Sequence, residues 1–354
     1  MSLTILGIGT ATPGLPVDQE EAAELAKIFC CSNEEQERQL SVIYKKTQIQ
    51  RRNSVLSRDS FSTATAAKGP TTRERMEWYR QEALPLALKA SREALTLSGV
   101  EPQEITDLVT VSCTGFSAPG VDTGLIKSLH LHASVGRTHI GFMGCHGALN
   151  GLRVASALAQ ARPGSRVLLS AVELCSLHFY YGWDPEKIVA NGLFADGAAA
   201  LVMGSTELKK QKGWQLKANG AYLFPDSEEM MAWKIGDHGF EMELSAALPG
   251  FISNKLRPWL EAWLGEQGLR IEEVASWAIH PGGPRVLGAV QESLNLSDAA
   301  LRPSREILAE FGNMSSPTVL FILDRLQKEK VPSPCVALGF GPGLAAEAAL
   351  IVNR

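Results

Sequence analysis

With 354 residues, 45% of them hydrophobic, the chain is long enough to bury a substantial core and to divide into two units. Its net charge of −4 comes without a basic tail or a long Lys/Arg run, which argues against a general nucleic-acid or membrane-surface binder; any anionic ligand must be met by local cations. No apolar stretch approaches the ~20 residues of a membrane helix, and Met1 to Pro13 reads as a strand and turn rather than a signal peptide, so a cytoplasmic protein with reduced thiols is expected.

In chain order, short β-rich runs alternate with longer helical patterns. Leu3 to Ile8 reads as a first strand, and Tyr44 to Arg52 is a basic stretch. The segment from Val55 to Thr72, rich in Ser, Thr, Ala and Gly, reads as an exposed loop. Arg73 to Ala90 is helix-like, and Glu82 to Leu97 repeats apolar residues at helical spacing. Asp107 to Ser112, Arg166 to Ala171 and Ala198 to Met203 read as further strands, and Gly147 to Ala161 as a helix whose small residues permit close packing. This alternation specifies an α/β protein with largely buried strands. A faint internal echo pairs Ile5 to Pro13 with Leu216 to Pro225, and Ala195 to Ala198 with Gly341 to Leu344. Two similar halves, 1–208 and 209–354, meeting near Gly204 to Gly213, would explain both echoes.

The six cysteines, Cys30, Cys31, Cys113, Cys145, Cys175 and Cys335, form no CxxC pair and no zinc-type Cys/His spacing, so no metal site is expected. Cys145 stands apart because Ile140 to Leu149 runs from a short strand through flanking glycines into a helical pattern. Helix N-terminal amides and the helix dipole favour a thiolate there, and Gly144 and Gly147 let a carbonyl approach the backbone. Taken alone, a glycine-flanked cysteine is more often a small buried residue in a tight turn. His280, which ends Trp277–Ala278–Ile279 and precedes Pro281–Gly282–Gly283–Pro284, reads either as a hydrogen-bonded strand-end residue or as a site group. Asn313, between Gly312 and the Ser315–Ser316 pair, reads either as a helix cap or as an amide donor held in a fixed turn. Together the three are far more specific than any one of them.

Cys145, His280–Pro281–Gly282–Gly283, Gly312–Asn313–Met314–Ser315–Ser316 and Gly339–Phe340–Gly341–Pro342–Gly343–Leu344 resemble the Cys, His, Asn and C-terminal signatures of type III polyketide synthases, the chalcone synthase family. The similarity runs from Gly9–Thr10–Ala11–Thr12–Pro13 to Glu347. It implies a thiolase-like αβαβα sandwich of two βαβαβ-based halves, the first carrying Cys145 and the second His280 and Asn313, in a homodimer with no nucleic-acid or membrane partner. It implies acyl-CoA and malonyl-CoA as substrates, with no cofactor beyond these thioesters. Cys145 would carry the acyl chain, His280 would pair with its thiolate, and His280 with Asn313 would hold the enolate left when malonyl-CoA loses carbon dioxide. Phe194 falls at the family's gatekeeper between active site and CoA tunnel. Lys46 and Arg51 fall in its CoA-binding stretch, although Gln50 stands where another basic residue is common.

The resemblance places Cys113, Thr114, Ser315 and Pro342 in the substrate pocket, and with them four departures from plant enzymes. Cys175 and His178 replace threonines, Trp233 a glycine and Met242 a phenylalanine. Ala118 stands where a methionine reaches across the dimer. These changes argue against a coumaroyl starter and a chalcone product. The loops look like those of bacterial members, which implies a fatty or other non-coumaroyl starter and a pyrone, resorcinol or phloroglucinol product. His146 is expected to take no direct role, and Cys113 and Cys175 to line the pocket rather than act as nucleophiles. Two alternatives stay open: a ketoacyl synthase III-like enzyme performing one condensation, and a non-catalytic acyl- or polyketide-binding protein on the same scaffold.

Overall fold

The computed structural model describes residues 2–14, 16–56, 68–206 and 213–353. The proposed boundary at 208/209 and most of the Val55 to Thr72 loop lie outside them.

Nine strands form one sheet. The first half supplies β1 (Ser2–Ala11), β4 (Asp107–Ser112), β5 (Gly136–Gly141), β6 (Arg166–Leu174) and β7 (Asp196–Thr206). The second supplies β8 (Trp214–Leu223), β11 (Ser276–Ile279), β12 (Cys335–Gly341) and β13 (Ala345–Asn353). Two short pairs, β2 (Val17–Asp18) with β3 (Arg51–Arg52) and β9 (Met231–Gly236) with β10 (Gly239–Leu244), stand apart. The order is β11-β12-β13-β8-β1-β7-β6-β4-β5. At its centre β1 and β8 run antiparallel through three pairs, Leu3 with Leu216, Thr4 with Gln215 and Ile5 with Trp214. Outward from there β7, β6, β4 mirror β13, β12, β11, so the two sequence echoes fall on equivalent strands.

The halves of the sheet lie against a shared middle layer of two helices, α5 (Gly147–Ala161) and α10 (Pro317–Lys328), each touching strands of both halves. Helices α3 (Thr72–Ser98) and α4 (Val121–Leu129) cover one outer face, and α7 (Leu248–Glu266) and α8 (Pro284–Leu294) the other. The result is the expected αβαβα stack. Because helices cover both faces, β4 is buried from end to end and reads as an uninterrupted run. On β12 the larger Val336, Leu338 and Phe340 face α7 and α8, while Cys335 and Ala337 face the middle layer. Small residues there let α5 sit close: a Cβ on Gly151 would lie 2.6 Å from Leu169 and 2.9 Å from Val111.

The overlapping Arg73 to Ala90 and Glu82 to Leu97 patterns are one helix, α3, begun by a Thr71–Glu74 capping box and ended by Gly99 in the left-handed conformation. Helices α1 (Gln19–Cys30), α2 (Glu34–Lys46) and α6 (Pro185–Leu193) share a separate small core, and α9 (Asp298–Phe311) precedes the Asn313 turn. Among the described residues, no helix is long and apolar enough to cross a membrane.

Candidate active site

Cys145 reaches its place through a tight reversal. After β5, Phe142 and Gly144 adopt positive φ (58° and 66°), and a short 3-10 turn, Gly144–His146, leads into α5. Gly144 is needed twice, for that φ and because a Cβ would lie 2.5 Å from Pro342. Cys145 is thus buried at the helix N-terminus. Burial pushes its thiol up to about 11, partly opposed by the nearby Ser315 and Asn313 side chains.

His280 directly follows β11, where its N–H donates to the Leu338 carbonyl at 2.8 Å and its own carbonyl accepts from Gly282 at 3.1 Å. The backbone is fixed while the ring stays uncommitted: among the described residues neither ring nitrogen has a hydrogen-bond partner. Burial, with a contribution from His146, holds the imidazole down at about 3. Both shifts run toward the uncharged forms, in the direction opposite to the ion pair the resemblance implies.

Asn313 is held by main-chain bonds. Its N–H donates to Leu193 and its carbonyl accepts from Ala195, both at 2.9 Å, which sets it opposite Phe194 in an isolated bridge. Its Oδ1 accepts from Ser315 N–H at 2.8 Å, which orients the amide and leaves Nδ2 without a partner of ordinary geometry among the described residues. Phe194 caps the C-terminus of α6, and Arg52 donates to its carbonyl at 2.7 Å.

A cavity of about 20 Å³ opens at Cys145. Cys113, Thr114, Cys175, Ser315 and Pro342 form one part of its wall. Phe194, Trp233 and Met242 form another, and Met231, which the sequence reading missed, joins them. His280 and Asn313 are fully buried and outside this wall. His178 is also outside it and lines a neighbouring cavity of about 1120 Å³, which shares Cys175, Phe194, Trp233 and Met242 with the first. Nε2 of His178 donates to the Thr114 carbonyl at 2.6 Å and Nδ1 accepts from Phe240 N–H at 2.9 Å, which fixes one neutral tautomer; burial holds the ring at about 3.

Lys46, in the last turn of α2, and Arg51, on β3 opposite Asp18, are exposed and line neither cavity. Among the described residues neither has an ion-pair partner. Arg52, beside them, lines the larger cavity. His146 is buried against β12, where a Cβ on Gly341 would lie 2.4 Å from its Nε2.

Two scaffold groups escaped the sequence reading. Glu173, fully buried at the end of β6, accepts from Cys113 N–H (2.9 Å), Thr114 N–H (3.1 Å) and hydroxyl (2.7 Å), and the Ser316 hydroxyl (2.8 Å). It ties the pocket loop after β4 to the Asn313 turn. Burial raises its carboxyl and these donors oppose the rise. Arg75, 1% exposed, donates to the carbonyls of Pro70, Leu177 and Phe179, anchoring the turn that carries His178. A carboxylate ending an apolar strand was the only signal for the first, and the second had none.

Family models for the N-terminal and C-terminal domains of chalcone and stilbene synthases match residues 2–207 and 215–353. An alpha-pyrone synthesis polyketide synthase-like protein of Mycobacterium tuberculosis is 34% identical over 361 residues, covering 99% of this chain and 91% of the relative. A 1,3,6,8-tetrahydroxynaphthalene synthase of Streptomyces peucetius subsp. caesius is 31% identical over 353 residues, covering 98% and 92%. The crystal structure of PKS-I from the brown alga Ectocarpus siliculosus superposes with a TM-score of 0.93 at 31% identity, covering 100% of this chain and 98% of the other.

Proposed function

The chain belongs to the chalcone and stilbene synthase family, the type III polyketide synthases, and on that basis we propose that it condenses malonyl-CoA iteratively and decarboxylatively onto an acyl-CoA starter held on Cys145. The starter is a non-coumaroyl acyl group, a fatty acyl chain among the candidates, and the product is of the pyrone, resorcinol or phloroglucinol type. No cofactor beyond the CoA thioesters is required.

One observation carries the mechanism: the His280 ring and the Asn313 Nδ2 group are buried and make no hydrogen bond of ordinary geometry among the described residues, beside a scaffold in which Glu173 and His178 are tied. Leaving a buried donor unmatched costs about 1–3 kcal/mol, which a substrate oxygen would recover. In loading, neutral His280 takes the Cys145 proton as the thiol attacks the acyl thioester, then returns it to the departing CoA thiolate. In extension, malonyl-CoA loses carbon dioxide, and the His280 N–H and Asn313 Nδ2 donate to the enolate oxygen, each worth about 3–4 kcal/mol. The enolate carbon attacks the Cys145 thioester, the thiolate leaves, and the chain is two carbons longer on CoA. Phe194, its backbone clamped by Arg52 and Asn313, supplies an apolar face for the malonyl carboxylate, which favours loss of carbon dioxide. The unpaired Lys46 and Arg51 meet the CoA phosphates.

A homodimer and a cytoplasmic location complete the reading. Strand β5 is an exposed sheet edge, and Phe116 (54% exposed) and Met143 (39%) lie beside it as a surface for a second copy. The test is malonyl-CoA with a panel of acyl-CoAs and Cys145→Ala as blank. CoA release with products extended by several two-carbon units is expected. A single added unit would support the ketoacyl synthase III-like alternative, and no release by an enzyme whose Cys145 is titratable would refute the reading.

A further inference from the structure

We propose that His146 is a positioning residue that works through His280: when the His280 ring takes the Cys145 proton, His146 accepts a hydrogen bond from the nitrogen of that ring turned away from the sulfur. This rests on the condensing-enzyme reading above and gives a role to the residue after the nucleophile, which lines neither cavity.

Placement is the first observation. His146 lies against the face of β12 that looks to the middle layer, and two glycines make room for it. A Cβ on Gly339 would lie 3.4 Å from the His146 Cβ, and one on Gly341 would lie 2.4 Å from its Nε2 and 2.5 Å from its Cδ2, so a side chain at 341 would displace the ring. Strand β11 runs beside β12 in parallel register, with Ile279 opposite Leu338. One step along that register sets His280 beside Gly339, the residue that His146 covers. Ala278 and Ala337 both pack into the middle layer, and the two-residue alternation carries His280 and Gly339 onto the same face.

The second observation is what surrounds the two rings. Both are buried, and none of their ring nitrogens has a hydrogen-bond partner among the described residues. Among those residues His146 is also the one titratable group that bears on His280, and no carboxylate does. The imidazolium formed during loading is therefore buried without a counter-charge, and a neutral acceptor beside it lowers the cost of that state. Burial holds His146 down at about 4, partly opposed by Asn150, and an uncharged imidazole offers one acceptor nitrogen. Asn150 follows one turn later on α5; its Nδ2 donates to Glu347 at 2.6 Å, and Arg153 donates to the same oxygen at 3.0 Å. His146, Asn150 and Arg153 thus share one edge of α5, braced against β13. The proton itself moves only from the Cys145 sulfur to His280 and on to the departing CoA thiolate; His146 gains and loses none.

The test is a double-mutant cycle on loading: wild type, His146→Phe, His280→Gln and the double variant, each given acyl-CoA without malonyl-CoA, with Cys145 acylation followed by intact mass. His146→Phe keeps a flat ring without nitrogen, and His146→Met serves in its place should the phenylalanine variant fail to fold, as judged by urea unfolding. The single His146 variant should load at least about tenfold more slowly than wild type, while in the His280→Gln background the same substitution should change the rate by less than about twofold. A folded His146 variant that loads within about threefold of wild type overturns the proposal, and so does an equal loss in the His280→Gln background, which would mark a merely structural role. Both results leave the condensing reading standing, whereas a wild type that loads no acyl-CoA overturns the two together.

Discussion

Replacing Asn313 by alanine separates the proposed enolate site from the nucleophile. The turn should survive, because its anchors are main-chain bonds to Leu193 and Ala195, both 2.9 Å, which alanine retains. The substitution forfeits the 2.8 Å bond from Ser315 N–H to Oδ1, worth about 1 kcal/mol, and removes a buried unpartnered Nδ2 whose relief is of similar size. Net stability should therefore change by no more than about 1 kcal/mol, as read by urea unfolding. Decarboxylation should suffer far more: losing one of two oxyanion donors costs about 10²–10³ in rate. Carbon dioxide release from malonyl-CoA is the assay, run beside mass-spectrometric loading of Cys145, which should slow by at most about tenfold because Asn313 only helps lower the thiol. A folded variant that decarboxylates within about fivefold of wild type would refute the role given to Asn313.

Glu173→Gln should destabilise by about 2–4 kcal/mol in urea melts, since one amide cannot accept all the hydrogen bonds that tie Cys113, Thr114 and Ser316; a loss below about 0.5 kcal/mol would contradict the bracing role. With its thiol pushed up to about 11, Cys145 in the free enzyme should be alkylated by iodoacetamide about tenfold faster per pH unit from pH 7 to 9, without a plateau. A plateau below pH 8 would reveal a resting ion pair. If the proposed dimer forms through the exposed surface beside β5, Phe116→Asp should shift the species seen in light scattering from dimer to monomer, and a wild type that is already monomeric would remove the proposed interface.

Much of the frame was legible because buried strands and small-residue helices leave uniform patterns: β4 and α5 lie where the runs Asp107 to Ser112 and Gly147 to Ala161 put them. The settings of the candidate site residues were legible locally, Cys145 just before α5, His280 just after β11 and Asn313 in the turn before α10, while their roles came from the family resemblance. What escaped depends on distant partners. Nothing in Trp233 announces that its indole bonds to Cys113, 120 residues away, and nothing in His178 announces that Phe240 N–H fixes its tautomer. The burial that pushes the Cys145 thiol up and the His280 imidazole down is likewise a property of the whole fold and is not written in either local motif.

The Glu173 carboxylate and the Phe194–Asn313 bridge both span the two halves of the chain. The sulfur comes from one half and Asn313 from the other, so neither a half-made nor a half-unfolded chain holds an assembled centre. On the proposed mechanism, acyl transfer on Cys145 becomes available only once the C-terminal half has docked and brought Asn313 to the sulfur's half of the fold.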